Sequence, residues 1–182
     1  MSAGEFRHLG DDPVYEGYIW DVVVGRFVDP DQQNFTRDIV RSPGAVAVVA
    51  VDDEDRVVLL HHYRPSVDRP VIEIPAGMRD IAGEDPLATA RRELREEVGL
   101  EADDWKLLHV FLPAPGMTDS TVHVYSARHL HEVAREVHGP EEEHMQVMWV
   151  PLAEALALID QGRIEDAKTV IGILLSARRA QD

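Results

Sequence analysis

Three glutamates stand at positions 93, 96 and 97, inside the run Arg92-Glu93-Leu94-Arg95-Glu96-Glu97-Val98-Gly99-Leu100. On a helix, residues four apart stack on one face, so Glu93 and Glu97 share a patch that Glu96 flanks. Like charges at that spacing repel by roughly 0.2–0.5 kcal/mol per pair, and a helix shaped for stability alone would interleave lysines. A divalent cation turns the repulsion into attraction. The donors are carboxylate oxygens, with no cysteine and no histidine pair at ligand spacing, which favours Mg²⁺, with Mn²⁺ as a substitute, over Zn²⁺. The plain alternative for such a run is a solvated acidic face.

The helix that must carry these acids is marked at both ends. Asp85 and Pro86 read as N-cap and first-turn proline, and Gly99 as a left-handed C-cap, which predicts about four turns between them. Leu87, Ala90, Leu94 and Val98 then form one apolar stripe facing a core. Arg92, four residues before Glu96 and next to Glu93, is placed to brace the acids. Arg91 and Arg95 point away from them and read as surface charges.

The stretch Gly77 to Leu100 resembles the Nudix box, G-x5-E-x7-R-E-U-x-E-E-x-G-U with U aliphatic. Gly77 matches the first glycine, Glu84 the first acid, and Arg92 to Leu100 the intact second half. Six residues, Met78 to Gly83, stand where the pattern has five; the extra one falls in a loop, where insertions are tolerated. The resemblance implies an α/β fold, a Nudix-type α/β/α sandwich with a mixed sheet. It also implies an Mg²⁺-dependent pyrophosphatase with Glu93, Glu96 and Glu97 as ligands, joined by the backbone carbonyl of Ala76. Glu84 either braces the loop or assists a metal.

Further features resemble the ADP-ribose pyrophosphatase group: Pro115 within Ala114-Pro115-Gly116, Glu73-Ile74-Pro75-Ala76-Gly77, and His62-Tyr63-Arg64. In that group a late-loop glutamate serves as general base or extra metal ligand. Alignment on Met145 to Trp149 assigns this to Glu142, with Glu141 and Glu143 as one-residue alternatives. Glu96 and Glu97 join it as catalytic candidates. Substrate-binding candidates are Trp20, Arg37, Arg64, Glu73, Pro115, Gly116 and Met117. An indole suits a flat base and a guanidinium suits a phosphate, while a buried arm residue and strand-end ion pairs are the plain readings. The implied reaction is hydrolysis of ADP-ribose to AMP and ribose 5-phosphate. Another nucleoside diphosphate derivative, or a non-catalytic ADP-ribose-binding regulatory module, is the alternative. The group's N-terminal strands cross to a partner, which implies a homodimer with a shared active site.

The 182 residues fit a single domain, with an N-terminal β arm over about 1–42 and a catalytic core over about 43–182. The formal net charge of −16 argues against nucleic acid or an anionic membrane as partner. The absence of cysteine leaves neither disulfides nor thiolate metal sites. No basic region followed by an apolar run opens the chain, and no apolar stretch approaches a membrane span, so a cytoplasmic location is expected.

Strand-like runs from Tyr15 to Val28 and from Phe35 to Val40 predict a hairpin-like pair. Ala45 to Val51 and Val57 to Tyr63 predict a second pair, joined by Asp52-Asp53-Glu54-Asp55. After the acidic helix, strands are expected over Trp105 to Leu112, Thr121 to Ala127 and Gln146 to Val150, with a polar loop over Gly139 to His144. Two helices close the chain, one opened by Pro151 and ended by Gly162, one over Asp166 to Arg179.

Overall fold

The structure, a computed structural model, describes residues 4–136 and 139–179, without the side chains of residues 141, 142 and 179. Its contacts divide the chain into two compact units. The first comprises Met1–Gly44 with Leu112–Thr121, the second Ala45–Phe111 with Val122–Asp182.

In the first unit, β1 (Arg7–Glu16), β2 (Asp21–Val28) and β3 (Asn34–Arg41) form an antiparallel sheet in chain order. The expected pair of strands is therefore three. β1 carries Gly10 and Pro13, residues that weaken a strand pattern, and its ladder shifts register between His8 and Gly10 and again between Pro13 and Tyr15. Residues 112–121 join this unit through the amide of Val40, which donates to the Met117 carbonyl at 2.9 Å, and through Asp119, which accepts from Arg41 and from the Ser42 amide.

In the second unit β4 (Ala45–Ala50) is the centre of the order β7-β4-β9-β8, with β7 (Ala76–Met78), β8 (Leu100–Phe111) and β9 (Val122–Glu132). β4 runs parallel to β9 and antiparallel to β7, so the sheet is mixed. Its run Val46 to Val51 is buried on both sides, as an uninterrupted apolar strand between two layers of helix requires. Val46, Val48 and Ala50 pack with Ala90 and Leu94 of α1 (Pro86–Val98). Ala47, Val49 and Val51 pack with Ile173 of α4 (Ala167–Arg179) and with Leu152 and Ala155 of α3 (Leu152–Asp160). The alternation of one strand thus feeds two cores, giving the α/β/α sandwich with a mixed sheet and a preceding β arm.

The expected β4–β5 hairpin is not a full one. β5 (Arg56–Arg64) meets β4 only through the Val51–Val57 bridge and then pairs with β6 (Arg69–Glu73) and β10 (Gln146–Pro151) in a second sheet. Both edges of β4 are already taken by β7 and β9, so β5 must find other neighbours. Residues 139–144, expected as loop, include the short helix α2 (Pro140–Glu143).

The segment leading from β6 into β7 is pinned from α4. The Ile74 amide donates to Thr169 Oγ1 at 2.9 Å, and that hydroxyl donates to Asp166, whose carboxylate also caps the Thr169 amide. Glu73, only 4% exposed, accepts from Arg64 Nη2 at 2.6 Å and Lys168 Nζ at 2.8 Å. Burial alone would raise its pKa, but the hydrogen bonds and charges of Arg64 and Lys168 hold it at about 2. A carboxyl depressed from an ordinary 4.5 contributes stability that is complete above that value and is lost as pH falls towards 2. Glu73→Gln is accordingly expected to cost about 3 kcal/mol at neutral pH, since it strands two cations beside a neutral amide. Urea melts of parent and variant should show that difference at pH 7 and its progressive loss between pH 4.5 and 2.

Candidate active site

α1 is built as its sequence specifies. The Asp85 side chain accepts from the Leu87 amide at 2.9 Å, Pro86 occupies the first turn, and Gly99 ends the helix in the left-handed region at φ 68°. Leu94 and Ala90 anchor one face in the core, which turns Glu93, Glu96 and Glu97 towards β7 and the loop before the helix.

Arg92 sits among the acids. Its Nη1 lies 2.9 Å from Glu93 Oε1 and 3.2 Å from Glu96 Oε2, and its Nη2 lies 3.2 Å from Asp80 Oδ1 and 3.3 Å from Glu84 Oε2. Burial alone would lower the Arg92 pKa; the charges of Glu93, Glu96 and Glu84 raise it instead. Glu84 also accepts from the Thr89 hydroxyl at 2.8 Å, and its pKa is held below the ordinary value against the opposing effect of desolvation. In the loop that carries the extra residue, Gly83 adopts φ 80° with open space around it.

Glu97 is 4% exposed and its Oε2 accepts from the Ala76 amide at 2.8 Å. Glu93 lies over Gly77: a Cβ on that glycine would stand 2.0 Å from the Glu93 carboxyl carbon. The β7 backbone and the glutamates of α1 are therefore fitted to one another, and Gly77 is required by close approach. Among the described residues, no three His, Asp or Glu side chains converge closely enough to hold a metal ion. The reason is visible in the contacts: Arg92 draws Glu93 and Glu96 while the Ala76 amide holds Glu97. The donors are hard carboxylate oxygens on one helix, with Glu93 seated over a glycine where a Cβ would collide with it, and that chemistry suits Mg²⁺ or Mn²⁺.

Arg64 is spent on Glu73, through Nε at 3.0 Å and Nη2 at 2.6 Å. Burial alone would lower its pKa; the Glu73 contact and the charges of Glu73, Glu97 and Asp166 raise it. The plain reading of Arg64 as an ion-pair residue thus describes its contacts. Lys168, Asp166 and Thr169 were not foreseen from sequence: their partners Glu73 and Ile74 are 95 residues away for Lys168 and Thr169, and no local spacing marks them.

In the first unit, Arg37 and Pro115, Gly116 and Met117 are brought together around a cavity of about 360 Å³ whose walls include Phe27 and Phe35. The Arg37 guanidinium lies 4.9 Å from the Phe35 ring centroid and donates to the Thr36 carbonyl. Trp20 is not part of that wall and is 54% exposed. The backbone of Glu142 lies in α2; its side chain, like that of Glu141, lies outside the described residues.

The chain has clear relatives in sequence and in fold. A family model described as the NUDIX domain matches residues 41–171. The ADP-ribose pyrophosphatase of Mycobacterium tuberculosis (strain ATCC 25618 / H37Rv) is 38% identical over 174 residues, covering 96% of this chain and 84% of its own. The methanol dehydrogenase activator of Bacillus methanolicus is 36% identical over 169 residues, covering 93% and 91%. A crystal structure of an ADP compounds hydrolase matches the fold with a TM-score of 0.83 at 23% identity, covering 100% of this chain and 97% of its own. With its Gly77-to-Leu100 stretch inside the matched region and its glutamates gathered against β7, the chain belongs to the Nudix family.

Proposed function

We propose that the chain is a divalent-metal-dependent hydrolase of nucleoside diphosphate-linked compounds, and that it cleaves ADP-ribose to AMP and ribose 5-phosphate. The observation that carries the reading is the seat of Glu93 and Glu97 against Gly77 and Ala76, beside Glu96 and the shared guanidinium of Arg92. The similarity to the Mycobacterium tuberculosis ADP-ribose pyrophosphatase supports the substrate.

Glu93, Glu96 and Glu97 would hold Mg²⁺ or Mn²⁺, with the Ala76 carbonyl and Glu142 completing the set. When bound, the cation stabilises negative charge on the diphosphate oxygens and acidifies water. Arg92 bridges Glu93 and Glu96 with a shared positive charge, and Glu84 and Asp80 hold that guanidinium in place. Glu142, with Glu141 and Glu143 as its neighbours in α2, accepts the proton of the attacking water at a carboxylate oxygen. Water adds across one P–O bond of the diphosphate, and each product leaves as a phosphate monoester.

Arg64 and Glu73 in the second unit, and Arg37, Trp20 and residues 115–117 in the first, are the substrate-binding candidates of this reading. Phe6, Val14, Tyr15, Tyr18 and Trp20 of the first unit are all more than half exposed, which supports a dimer-forming arm and an active site completed by the partner copy. Among the described residues no helix is long and apolar enough to cross a membrane, and the net charge of −16 supports a small-molecule substrate over nucleic acid in a cytoplasmic setting. A second reading, regulation of another enzyme, is favoured by the similarity to the Bacillus methanolicus activator. Tight ADP-ribose binding without AMP formation in Mg²⁺ or Mn²⁺ would favour it.

Three outcomes test the proposal. Purified protein with Mg²⁺ should release AMP from ADP-ribose, at a kcat/KM above that for nucleoside triphosphates or other diphosphate derivatives in a substrate panel; no AMP at high enzyme concentration contradicts it. Glu97→Gln keeps an acceptor for the Ala76 amide but loses the charge, so kcat should fall about a hundredfold or more with little change in Tm. Gly77→Ala must push Glu93 aside, with an expected loss of about tenfold or more in kcat and a stability cost of about 1–3 kcal/mol, read by steady-state kinetics and thermal melts.

A further inference from the structure

On the side of α1 turned away from Glu93 and Glu97 lies a cavity of about 560 Å³, whose lining includes Arg91, Arg92, Arg95, Glu101, Asp103 and Trp105. At 100° per residue, Arg91 and Arg95 sit roughly opposite Glu93 on the helix. They are four residues apart, a spacing at which like charges destabilise a helix. Among the described residues Arg92 has four carboxylate partners, whereas neither Arg91 nor Arg95 has one within 4.0 Å. In a chain of formal charge −16, two arginines facing one cavity with no carboxylate in ion-pair range are anomalous, although Glu101 and Asp103 stand elsewhere on its walls.

The remaining walls sharpen the chemistry. The Trp105 indole donates through Nε1 to the Ala102 carbonyl at 2.9 Å, and its ring lies 5.8 Å from the Arg91 guanidinium, so one face of the cavity is a fixed aromatic plate. The Nε atoms of Arg92 and Arg95 are buried and lack a hydrogen-bond partner in the structure. Buried donors are nearly always satisfied, and an arginine in the last turn gains from the helix dipole without acquiring an acceptor for its Nε. Asp103 is occupied by His131 at 2.8 Å, while Glu101 is exposed.

We propose that this cavity binds a hydroxyl-bearing phosphate monoester, its phosphate held by Arg91 and Arg95. Paired guanidinium groups match phosphate oxygens. Glu101 and Asp103, on the facing strand, accept from sugar hydroxyls and disfavour a ligand that is anionic throughout. The volume lies within the range of small-molecule sites. The site draws on none of the residues assigned to the reaction except Arg92, and it stands whether or not the hydrolase reading does.

Ribose 5-phosphate and inorganic phosphate are the probes, titrated calorimetrically into the full chain in chelator without divalent metal. A second readout uses Trp20→Phe/Trp149→Phe protein, in which Trp105 is the remaining tryptophan of three. Saturable ribose 5-phosphate binding is expected, with a matching change in Trp105 emission, weakening by about tenfold or more in Arg91→Ala/Arg95→Ala. Arg91→Gln/Arg95→Gln serves if the alanine pair does not fold. Binding should also weaken with added salt. Unchanged affinity in the arginine variants, or no saturable signal in the millimolar range, overturns the proposal. Binding lost in Glu97→Gln but kept in the arginine variants assigns the ligand to the other face and overturns it equally. Inorganic phosphate bound as tightly as ribose 5-phosphate overturns the role of Glu101 and Asp103.

Discussion

Five carboxylates crowd the start and outward face of one helix, and a single guanidinium makes four of them compatible. Arg92 reaches Glu93, Glu96, Glu84 and Asp80, and the fifth acid, Glu97, is held by a backbone amide of β7. Without a shared cation such a cluster would repel itself and relax into solvent. With it, the acids stay near one another while the helix still buries Leu94 and Ala90. The local cost of a charged, partly buried cluster is offset by apolar burial along the opposite stripe.

The rest of the second unit follows from that constraint. Glu93 and Glu97 must lie against backbone, so β7 has to approach α1 closely at Gly77 and Ala76. β7 holds that position because it pairs with β4 on one side, and because the segment before it is fastened to α4 by Thr169 and by the Glu73–Lys168 pair. β4 in turn is buried on both faces, with α1 packed on one and α4 on the other. The carboxylates are therefore positioned by a chain of contacts that runs through the central strand to the opposite helix layer.

What could be read directly from residues was local. The caps of α1, its apolar stripe and the Arg92–Glu96 spacing depend on neighbours within one or two turns, and each is found where the residues predict it. The mixed α/β/α sandwich follows from β4 having no polar face. Less accessible were features that depend on distant partners. Thr169 and Lys168 meet Ile74 and Glu73 across 95 residues, and β5 leaves β4 because other strands have taken both its edges. β8 starts at Leu100, five residues before the strand pattern begins, because Glu101, Asp103 and Asp104 are poor strand formers on a strand at the edge of the sheet. That early start is also what creates the arginine-lined cavity, so Arg91 and Arg95 read as plain surface charge until β8 is in place.

On the function proposed above, Glu93 and Glu97 form a cation platform seated on β7. Direct titration of Mn²⁺, followed by loss of its free-ion electron paramagnetic resonance signal, tests this without any substrate. Saturable Mn²⁺ binding to the parent chain is expected, weakened by about tenfold or more in both Glu93→Gln and Glu97→Gln while each variant melts as the parent does. Equal Mn²⁺ affinity in the parent and both variants would contradict it.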